Sequence, residues 1–294
     1  MPIEEQVYQG QMIDTHMHIW DTANGYEWLP LLADGALNYN FFMPDYLKMA
    51  QNQPISQMVY IECGGFPQNP VLETKWVQEQ ADRYGGPQGI AAFVKLDSTD
   101  AEKILREHSQ YPNLRSIRMP LNYVAGCFGA DRDDYMRDKA WQKGYALLSR
   151  YNLPFEMQIF DTQIPDACTI ARTFDDIPII LQHLGWPVKS DFAYLSEWKN
   201  RLGLLAQYPN VFIKISCIGW IFQNKDAEAI SSYIQEAIKL FGVDRCMVGS
   251  NCPPDSVYIS FDNIFQIIKK SLAAYSKLDQ QKLFYGNAKR IYRL

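Results

Sequence analysis

Short, almost uninterrupted apolar runs alternate along the chain with longer segments of helical periodicity. Eight of these runs are predicted to be strands, because each is too short for a helix and is rich in aliphatic and β-branched residues. They cover residues 12–19, 55–62, 89–95, 114–119, 155–160, 177–183, 211–217 and 245–250. Strands without a polar face are typical of a parallel sheet that is covered by helices.

The segments between these runs repeat apolar residues at helical spacing. They are predicted to be helices over residues 44–52, 70–84, 99–109, 138–151, 162–174, 192–207, 226–241, 257–275 and 278–292. Strict alternation of strand and helix implies right-handed crossovers. Because no Gly-x-Gly-x-x-Gly follows the first strand, eight units favour a closed barrel over an open doubly wound sheet. We therefore predict an α/β fold, with residues 1–294 forming a single (β/α)₈ TIM-type barrel domain.

Composition and charge exclude several classes of partner. The chain has 294 residues, 47% of them hydrophobic, and a formal net charge of -5. An acidic chain is a poor partner for nucleic acid, and no apolar stretch approaches the length of a membrane span. The six cysteines show no C-x-x-C pairs, and the chain starts without a signal-peptide pattern. These features predict free thiols and a cytoplasmic protein. A homodimer is compatible with this composition but is not required by it.

Three of the four histidines fall at the ends of predicted strands, where the chemistry of a barrel enzyme is located. His16 and His18 are two residues apart on the first strand, so their side chains point to the same face. His183 ends the sixth strand. A catalytic zinc needs three protein ligands, which this set supplies; the same imidazoles are equally suited to polarising a substrate oxygen. We expect the fourth histidine, His108, to be solvated near the end of a helix.

Charged residues end two further strands. Arg118 ends the fourth strand, and its planar fork suits a carboxylate. It is expected either to bind a substrate carboxylate or to form a structural pair with Glu62 or Glu156, and the residues alone leave both open. Glu62, which ends the second strand, is a candidate metal ligand, general base or ion-pair partner.

Other candidate site residues are amide or aromatic. Gln158 lies on the fifth strand, and Trp20 and Trp186 flank strand ends, where aromatic walls suit a cyclic substrate. The segments 20–43 and 122–137 are long for loops and are expected to shape the pocket.

Six segments, taken together and in order, resemble the amidohydrolase superfamily, in particular the lactonase branch that includes L-fuconolactonases and 2-pyrone-4,6-dicarboxylate lactonases. They are residues 13–21 (IDTHMHIWD), 116–118 (SIR), 183–187 (HLGWP), 211–216 (VFIKIS), 249–254 (GSNCPP) and 285–288 (YGNA). The resemblance covers nearly the whole chain. It implies a (β/α)₈ barrel that hydrolyses a cyclic ester, such as a sugar-acid lactone or a product of aromatic degradation.

The resemblance also implies roles for particular residues. His16, His18 and His183 match the histidines that polarise the substrate carbonyl in this branch. Arg118 matches an arginine that grips a substrate carboxylate. An aspartate at the end of the eighth strand activates water in these relatives. Several members of the branch act without a divalent metal, whereas the wider superfamily uses one or two.

Two positions depart from the family pattern. Gln158 stands where metal-dependent relatives have a histidine, which leaves either no metal or one divalent ion, zinc above all. Asn251 stands where the aspartate is expected, and an amide is not a base near neutral pH. Asn251 can therefore only orient a water or the substrate. Asp255, if it reaches back into the barrel mouth, and Glu62 are candidates for the displaced base.

Three functions remain open from the sequence, all of them acting on a small molecule. The first is a lactonase or related C–O hydrolase. The second is a metal-dependent hydrolase or non-oxidative decarboxylase with His16, His18 and His183 as ligands. The third is a catalytically weak binding homologue, which the replacement of the strand-8 aspartate by Asn251 suggests.

Overall fold

Eight strands form one parallel sheet in which neighbours follow the order of the chain. The computed structural model describes residues 7–123, 129–223 and 226–294. The strands are β1 (Met12–Met17), β2 (Ile55–Ile61), β3 (Gly89–Phe93), β4 (Leu114–Pro120), β5 (Phe155–Gln158), β6 (Ile179–Leu181), β7 (Val211–Ile215) and β8 (Cys246–Val248).

The sheet closes where the chain leaves the last strand and passes the end of the first. The backbone N–H of Asn251 donates to the carbonyl of His16 at 2.7 Å, and that of His18 donates to the carbonyl of Cys252 at 2.9 Å. Met17 also pairs with Cys252 in a parallel bridge. The predicted (β/α)₈ barrel is therefore confirmed.

Helices cover the outside of the barrel, as their apolar periodicity predicts. They are α1 (Met43–Ala50), α2 (Pro70–Tyr84), α3 (Ala101–His108), α4 (Lys139–Tyr151), α5 (Ile164–Thr173), α6 (Leu195–Leu205), α7 (Ile218–Phe222), α8 (Ala227–Phe241), α9 (Phe261–Ser271), α10 (Lys277–Gln281) and α11 (Asn287–Tyr292). Within the described ranges, no helix is long and apolar enough to cross a membrane.

The helix boundaries follow local capping signals. The side chain of Asn69 accepts from the backbone N–H of Val71, Pro70 occupies the first position of α2, and Gly85 ends it at a φ of 77°. A capping residue also corrects the bounds of the helix predicted over 257–275. Ser260 caps α9 by accepting from Asn263, so the helix begins at Phe261 and ends at Ser271. The predicted helix over 278–292 is broken by a π-helical turn, Lys282–Gly286.

Seven of the eight strands end one or two residues earlier than predicted, all except β4, and after β6 and β8 the backbone turns away at chemically important residues. The predictions 177–183 and 245–250 correspond to Ile179–Leu181 and Cys246–Val248. His183 and Asn251 have φ values of 58° and 57°, in the left-handed region that side chains disfavour. Such strain costs roughly 1–3 kcal/mol per residue and is concentrated at functional sites in proteins. The strain at these two residues indicates that the barrel mouth is a functional site.

The prediction that His108 is solvated is wrong. Its side chain is buried, with Nε2 3.0 Å from the carbonyl of Phe93 and Nδ1 3.0 Å from the hydroxyl of Thr74. Burial lowers its pKa to about 4. The helix position of His108 was visible in the sequence, but its polar partners on β3 and α2 come from tertiary packing.

The thiol prediction agrees with the part of the chain that the structure describes. The cysteines at 63, 168, 217, 246 and 252 are free there. Cys127, like part of the predicted pocket loop 122–137, lies outside the described residues.

Candidate active site

A cavity of about 750 Å³ opens at the barrel mouth. Side chains from the ends of the strands form its floor, and most of them were predicted from the sequence to belong to one site. They are His18, Glu62, Arg118, Gln158, His183 and Asn251. The barrel geometry brings these residues together because the carboxyl ends of parallel strands meet on one face.

The ring of His16 lies in contact with the rings of both other strand-end histidines. The ring centroid of His16 is 5.0 Å from that of His18 and 4.5 Å from that of His183. His18 and His183 line the cavity, whereas His16 is buried beside them. Neither ring nitrogen of His16 has a hydrogen-bond partner among the described residues. A buried, unsatisfied polar group in a folded protein commonly marks a place where a ligand or water is bound.

All three imidazoles are neutral at physiological pH. Burial lowers the pKa of His18 to about 3, with a further contribution from Arg118. Burial is also the main reason that the pKa values of His16 and His183 lie well below 6.5. A neutral imidazole offers one N–H donor and one lone pair, and the partner of one nitrogen decides the role of the other.

The partners of His18 determine its tautomer. Its Nδ1 lies 2.8 Å from the carbonyl of Ile61, which can only accept, so Nδ1 carries the proton. The bare Nε2 is 3.3 Å from Oδ1 of Asn251. His183 has an analogous partner, since its Nδ1 lies 2.9 Å from the hydroxyl of Ser216.

Arg118 is held by partners within the protein. Its Nη1 donates to a carboxylate oxygen and to the backbone carbonyl of Glu62, each at 2.8 Å. Its Nε donates to Gln182 at 3.1 Å, and its Nη2 donates to Gln158. Of the two partners that the sequence left open, the structure contains the pair with Glu62, and Glu156 pairs elsewhere. Burial raises the pKa of Glu62, and Arg118 opposes that rise.

Asp255 lies behind Asn251, and it is not among the described residues that line the cavity. The amide nitrogen of Asn251 donates to Asp255 at 2.8 Å, and the backbone N–H groups of Gly219 and Trp220 donate to the same carboxylate at 2.7 and 3.3 Å. Burial raises its pKa to about 7. Asp255 therefore reaches the amide of Asn251 and not the mouth of the barrel.

The aromatic walls differ in part from those expected. Trp186 lines the cavity, but Trp20 is fully buried behind Trp28, with their ring centroids 5.5 Å apart. Glu73, which the sequence did not single out as a site residue, is a cavity residue that accepts from Tyr60 at 2.7 Å and from the backbone of Cys63 at 2.9 Å. No periodicity in the sequence indicates this inward placement.

The donor set fits a metal ion chemically but not geometrically. Neutral imidazoles are good zinc ligands, and His18 and His183 have the outer partners that orient such ligands. In the described part of the chain, however, no three His, Cys, Asp or Glu side chains are arranged to hold a metal ion. We therefore derive no step through a metal, and the tentative ligand set of His16, His18 and His183 stays a prediction.

Enzymes built on a closed α/β barrel have their catalytic side chains at the mouth, which is where this chain has its imidazoles. The amidohydrolase family model matches residues 13–294, and the chain belongs to this family. The resemblance predicted from the sequence is thus confirmed, and with it the hydrolase class of the enzyme.

Individual relatives extend the likeness along the chain. The y4mH protein of Sinorhizobium fredii, which has no assigned activity, is 35% identical over 96% of this chain and 98% of its own. An L-fucono-1,5-lactonase of Burkholderia ambifaria is 24% identical over 82% of this chain and 80% of its own. A zinc-bound amidohydrolase structure from Burkholderia multivorans has a TM-score of 0.84 at 22% identity and covers 97% of this chain and 100% of the other.

Proposed function

We propose that this amidohydrolase is a lactonase, which hydrolyses the ester bond of a cyclic ester. The active site would belong to the single domain predicted for residues 1–294. One observation carries the proposal. His18 and His183 are neutral, each has its Nδ1 held by a partner, and both face one cavity beside Asn251. The likeness to a lactonase supports this choice among hydrolytic reactions.

In the proposed reaction, His18 activates the attacking water. Its bare Nε2 and the Oδ1 of Asn251 are both acceptors, 3.3 Å apart on the cavity floor, so a water that lies in the cavity above the two atoms can donate to each. As the water oxygen bonds to the ester carbonyl carbon, one of its protons passes to Nε2 of His18. The low pKa of His18 makes it a weak base, so the transfer is completed only as the tetrahedral intermediate forms.

His183 acts on the other side of the same carbonyl group. When the hydroxyl of Ser216 donates to Nδ1, the proton of His183 resides on Nε2, where it can donate to the oxygen on which negative charge develops. Cleavage of the bond between the carbonyl carbon and the ring oxygen then opens the lactone. The proton taken up by His18 passes to that oxygen, and the product is a hydroxy acid.

Asn251 and Asp255 have supporting roles in this scheme. The carboxylate of Asp255 holds the amide nitrogen of Asn251, so that Oδ1 faces His18. Asp255 is then a positioning residue that acts through Asn251, and Asn251 orients the water in place of the aspartate seen in relatives. Arg118, Gln158 and Trp186 complete the binding surface around the ester.

A second candidate is a metal-dependent hydrolase or decarboxylase, favoured by the unpartnered nitrogens of buried His16. Metal analysis of protein purified without chelator tests it. One zinc per chain, together with loss of activity in chelator, would support this reading. Undiminished activity in chelator with no bound metal would reject it.

The lactonase proposal is tested by titrating the acid released from a panel of γ- and δ-lactones. The proposal is supported if the native protein hydrolyses a lactone and His183→Ala does not, while the variant still unfolds in a cooperative thermal transition. Full turnover by His183→Ala would refute the assigned role. An absence of turnover on every lactone would favour the binding homologue.

A further inference from the structure

The charges around the cavity bear on what kind of lactone it accepts, an inference that rests on the proposed lactonase function. Among the described residues that line the cavity, the cations are Arg118 and Lys95, and the carboxyl groups are Glu62, Glu73 and Asp131. The cavity therefore has no excess of positive charge with which to attract an anionic substrate.

Both cations already have a carboxylate partner. Nη1 of Arg118 lies 2.8 Å from Glu62, and the side chains of this pair are 8% and 4% exposed. Nζ of Lys95 lies 3.5 Å from Asp97, donates to the hydroxyl of Tyr135 at 3.1 Å and sits over its ring. A substrate carboxylate that took Arg118 would leave Glu62 buried and unpaired, which is strongly unfavourable.

The amide groups of the cavity floor also have hydrogen-bond partners within the protein. Gln158 accepts from Arg118 and donates to Asn122 at 2.7 Å, and Asn251 donates to Asp255 at 2.8 Å. A polyhydroxylated ring would have to break these contacts or leave its own hydroxyls unpaired, and each unpaired group costs about 1–3 kcal/mol.

The walls above this floor are largely aromatic. Among the described residues, seven Phe, Trp and Tyr rings line them, from Trp28, Phe66, Phe93, Tyr135, Phe160, Trp186 and Trp220. Rings of this kind bind apolar and planar groups through large contact areas. A volume of about 750 Å³ leaves room for a substituent on the lactone ring.

We propose that the preferred substrate is an uncharged cyclic ester carrying an apolar alkyl or aryl substituent, and not a carboxylated or polyhydroxylated lactone. In this arrangement Glu62 is a specificity residue, because it neutralises Arg118 and removes the attraction for a second carboxylate. The aromatic rings contact the substituent while the ester lies against His18 and His183.

The experiment compares matched ligands that differ in one group. Three δ-lactones are assayed. The first carries a butyl chain, the second carries the same chain ending in a carboxylate, and the third carries hydroxyl groups on the ring. The matching δ-lactams, which resist hydrolysis, are titrated by calorimetry, so that preference in binding is measured apart from catalysis. We expect kcat/KM and lactam affinity to favour the butyl compound by at least about tenfold, which corresponds to roughly 1.4 kcal/mol.

Two variants with the same Glu-to-Gln replacement make the comparison specific. Glu62→Gln frees Arg118 and should shift the preference toward the carboxylated ligand by about tenfold or more. Glu73→Gln removes a carboxylate from the same cavity that does not contact Arg118, and should shift the preference by less than about threefold.

Each result has a distinct meaning. A native preference for the carboxylated or hydroxylated ligands, in either assay, overturns the substrate class. Equal shifts in both variants overturn the role of Glu62. Lactam binding with the expected preference, but no hydrolysis of any lactone, supports the binding preference while rejecting the lactonase function. No binding of any lactam rejects the substrate class outright.

Discussion

Two buried polar regions of the barrel differ in how completely their hydrogen bonds are satisfied. In the first, which we call the Lys214 cluster, Lys214 on β7 donates to Glu156 on β5 at 2.8 Å and to the carbonyl of Thr15 at 2.7 Å. Ser116 at 3.2 Å and Tyr292 also donate to Glu156. In the second, the histidines at the mouth, both nitrogens of His16 lack a partner among the described residues.

The Lys214 cluster stabilises the fold, whereas the histidines at the mouth are arranged for binding. Lys214 and Glu156 are fully buried charges, which are tolerated because each is paired and hydrogen-bonded. Their partners come from several strands and the last helix, so the Lys214 cluster ties the barrel together. At the mouth, by contrast, neither ring nitrogen of His16 has a partner among the described residues, and His18 and His183 line a cavity. The unsatisfied region is where binding of a reactant brings a gain in free energy.

The largest expected effect is the loss of activity in His183→Ala. Removing the proposed donor should lower kcat/KM for a lactone by about 10³-fold, because acid–base groups of this kind contribute roughly 10²–10⁴-fold. The free energy of unfolding in urea should fall by no more than about 1–3 kcal/mol, since no buried charge loses its partner and only the hydroxyl of Ser216 loses a hydrogen bond. His108→Gln is the control, because it changes a buried histidine outside the site and should leave kcat/KM within about threefold.

The opposite result is expected for Lys214→Met. This change leaves Glu156 buried without its cation, so the free energy of unfolding should fall by about 3–5 kcal/mol in urea titrations. The double variant Lys214→Met/Glu156→Gln should recover much of that loss. A single variant as stable as the native protein would show that the cluster does not hold the barrel together.

The variant Asp255→Asn tests whether a buried carboxyl group outside the cavity supports catalysis at the mouth through Asn251. We expect kcat/KM to fall about tenfold, because Asn251 loses the acceptor that orients it. In the native protein, kcat/KM should rise with pH through about 7, the pKa to which burial raises Asp255, and this inflection should vanish in the variant. Loss of stability with an unchanged pH profile would reduce Asp255 to a structural residue.

Stability should change with pH in the opposite direction. The pKa of Asp255 is raised in the folded protein from its ordinary value of 3.8 to about 7, so the folded state binds this proton more tightly. The stabilisation from this group is therefore complete below pH 4 and is lost as the pH rises to about 7. Relative to Asp255→Asn, the native protein should lose stability between pH 4 and 7 in thermal melts.

The smallest effect is expected for Ser216→Ala. The hydroxyl of Ser216 orients His183 through a single hydrogen bond of 2.9 Å, and one such neutral bond is worth about 1 kcal/mol. The value of kcat should fall about fivefold, with KM nearly unchanged. A loss as large as that of His183→Ala would mean that Ser216 acts on the substrate directly.

Much of the fold could be predicted because it depends on local patterns. The apolar runs that became β1 to β8 and the capped helix Pro70–Tyr84 are readable from periodicity and from end signals such as Asn69 and Gly85. The meeting of His18, His183 and Arg118 also follows, since parallel strands in a barrel end on one face. Failures occurred where the surroundings of a side chain depend on how loops and helices pack on the barrel, as for His108 and for Trp20 behind Trp28.

The sequence by itself determined that this chain forms an α/β barrel with three histidines at its strand ends, because strand, helix and strand-end positions are properties of local spacing. Only the tertiary structure decided the pairing of Arg118 with Glu62, of Lys214 with Glu156 and of Asp255 with Asn251. For the two ion pairs, the choice of partner depends on distances between strands far apart in the chain, and for Asp255 it depends on the turn that follows β8. Those distances determine whether Arg118 is open to a substrate, and hence which lactone the barrel is suited to bind.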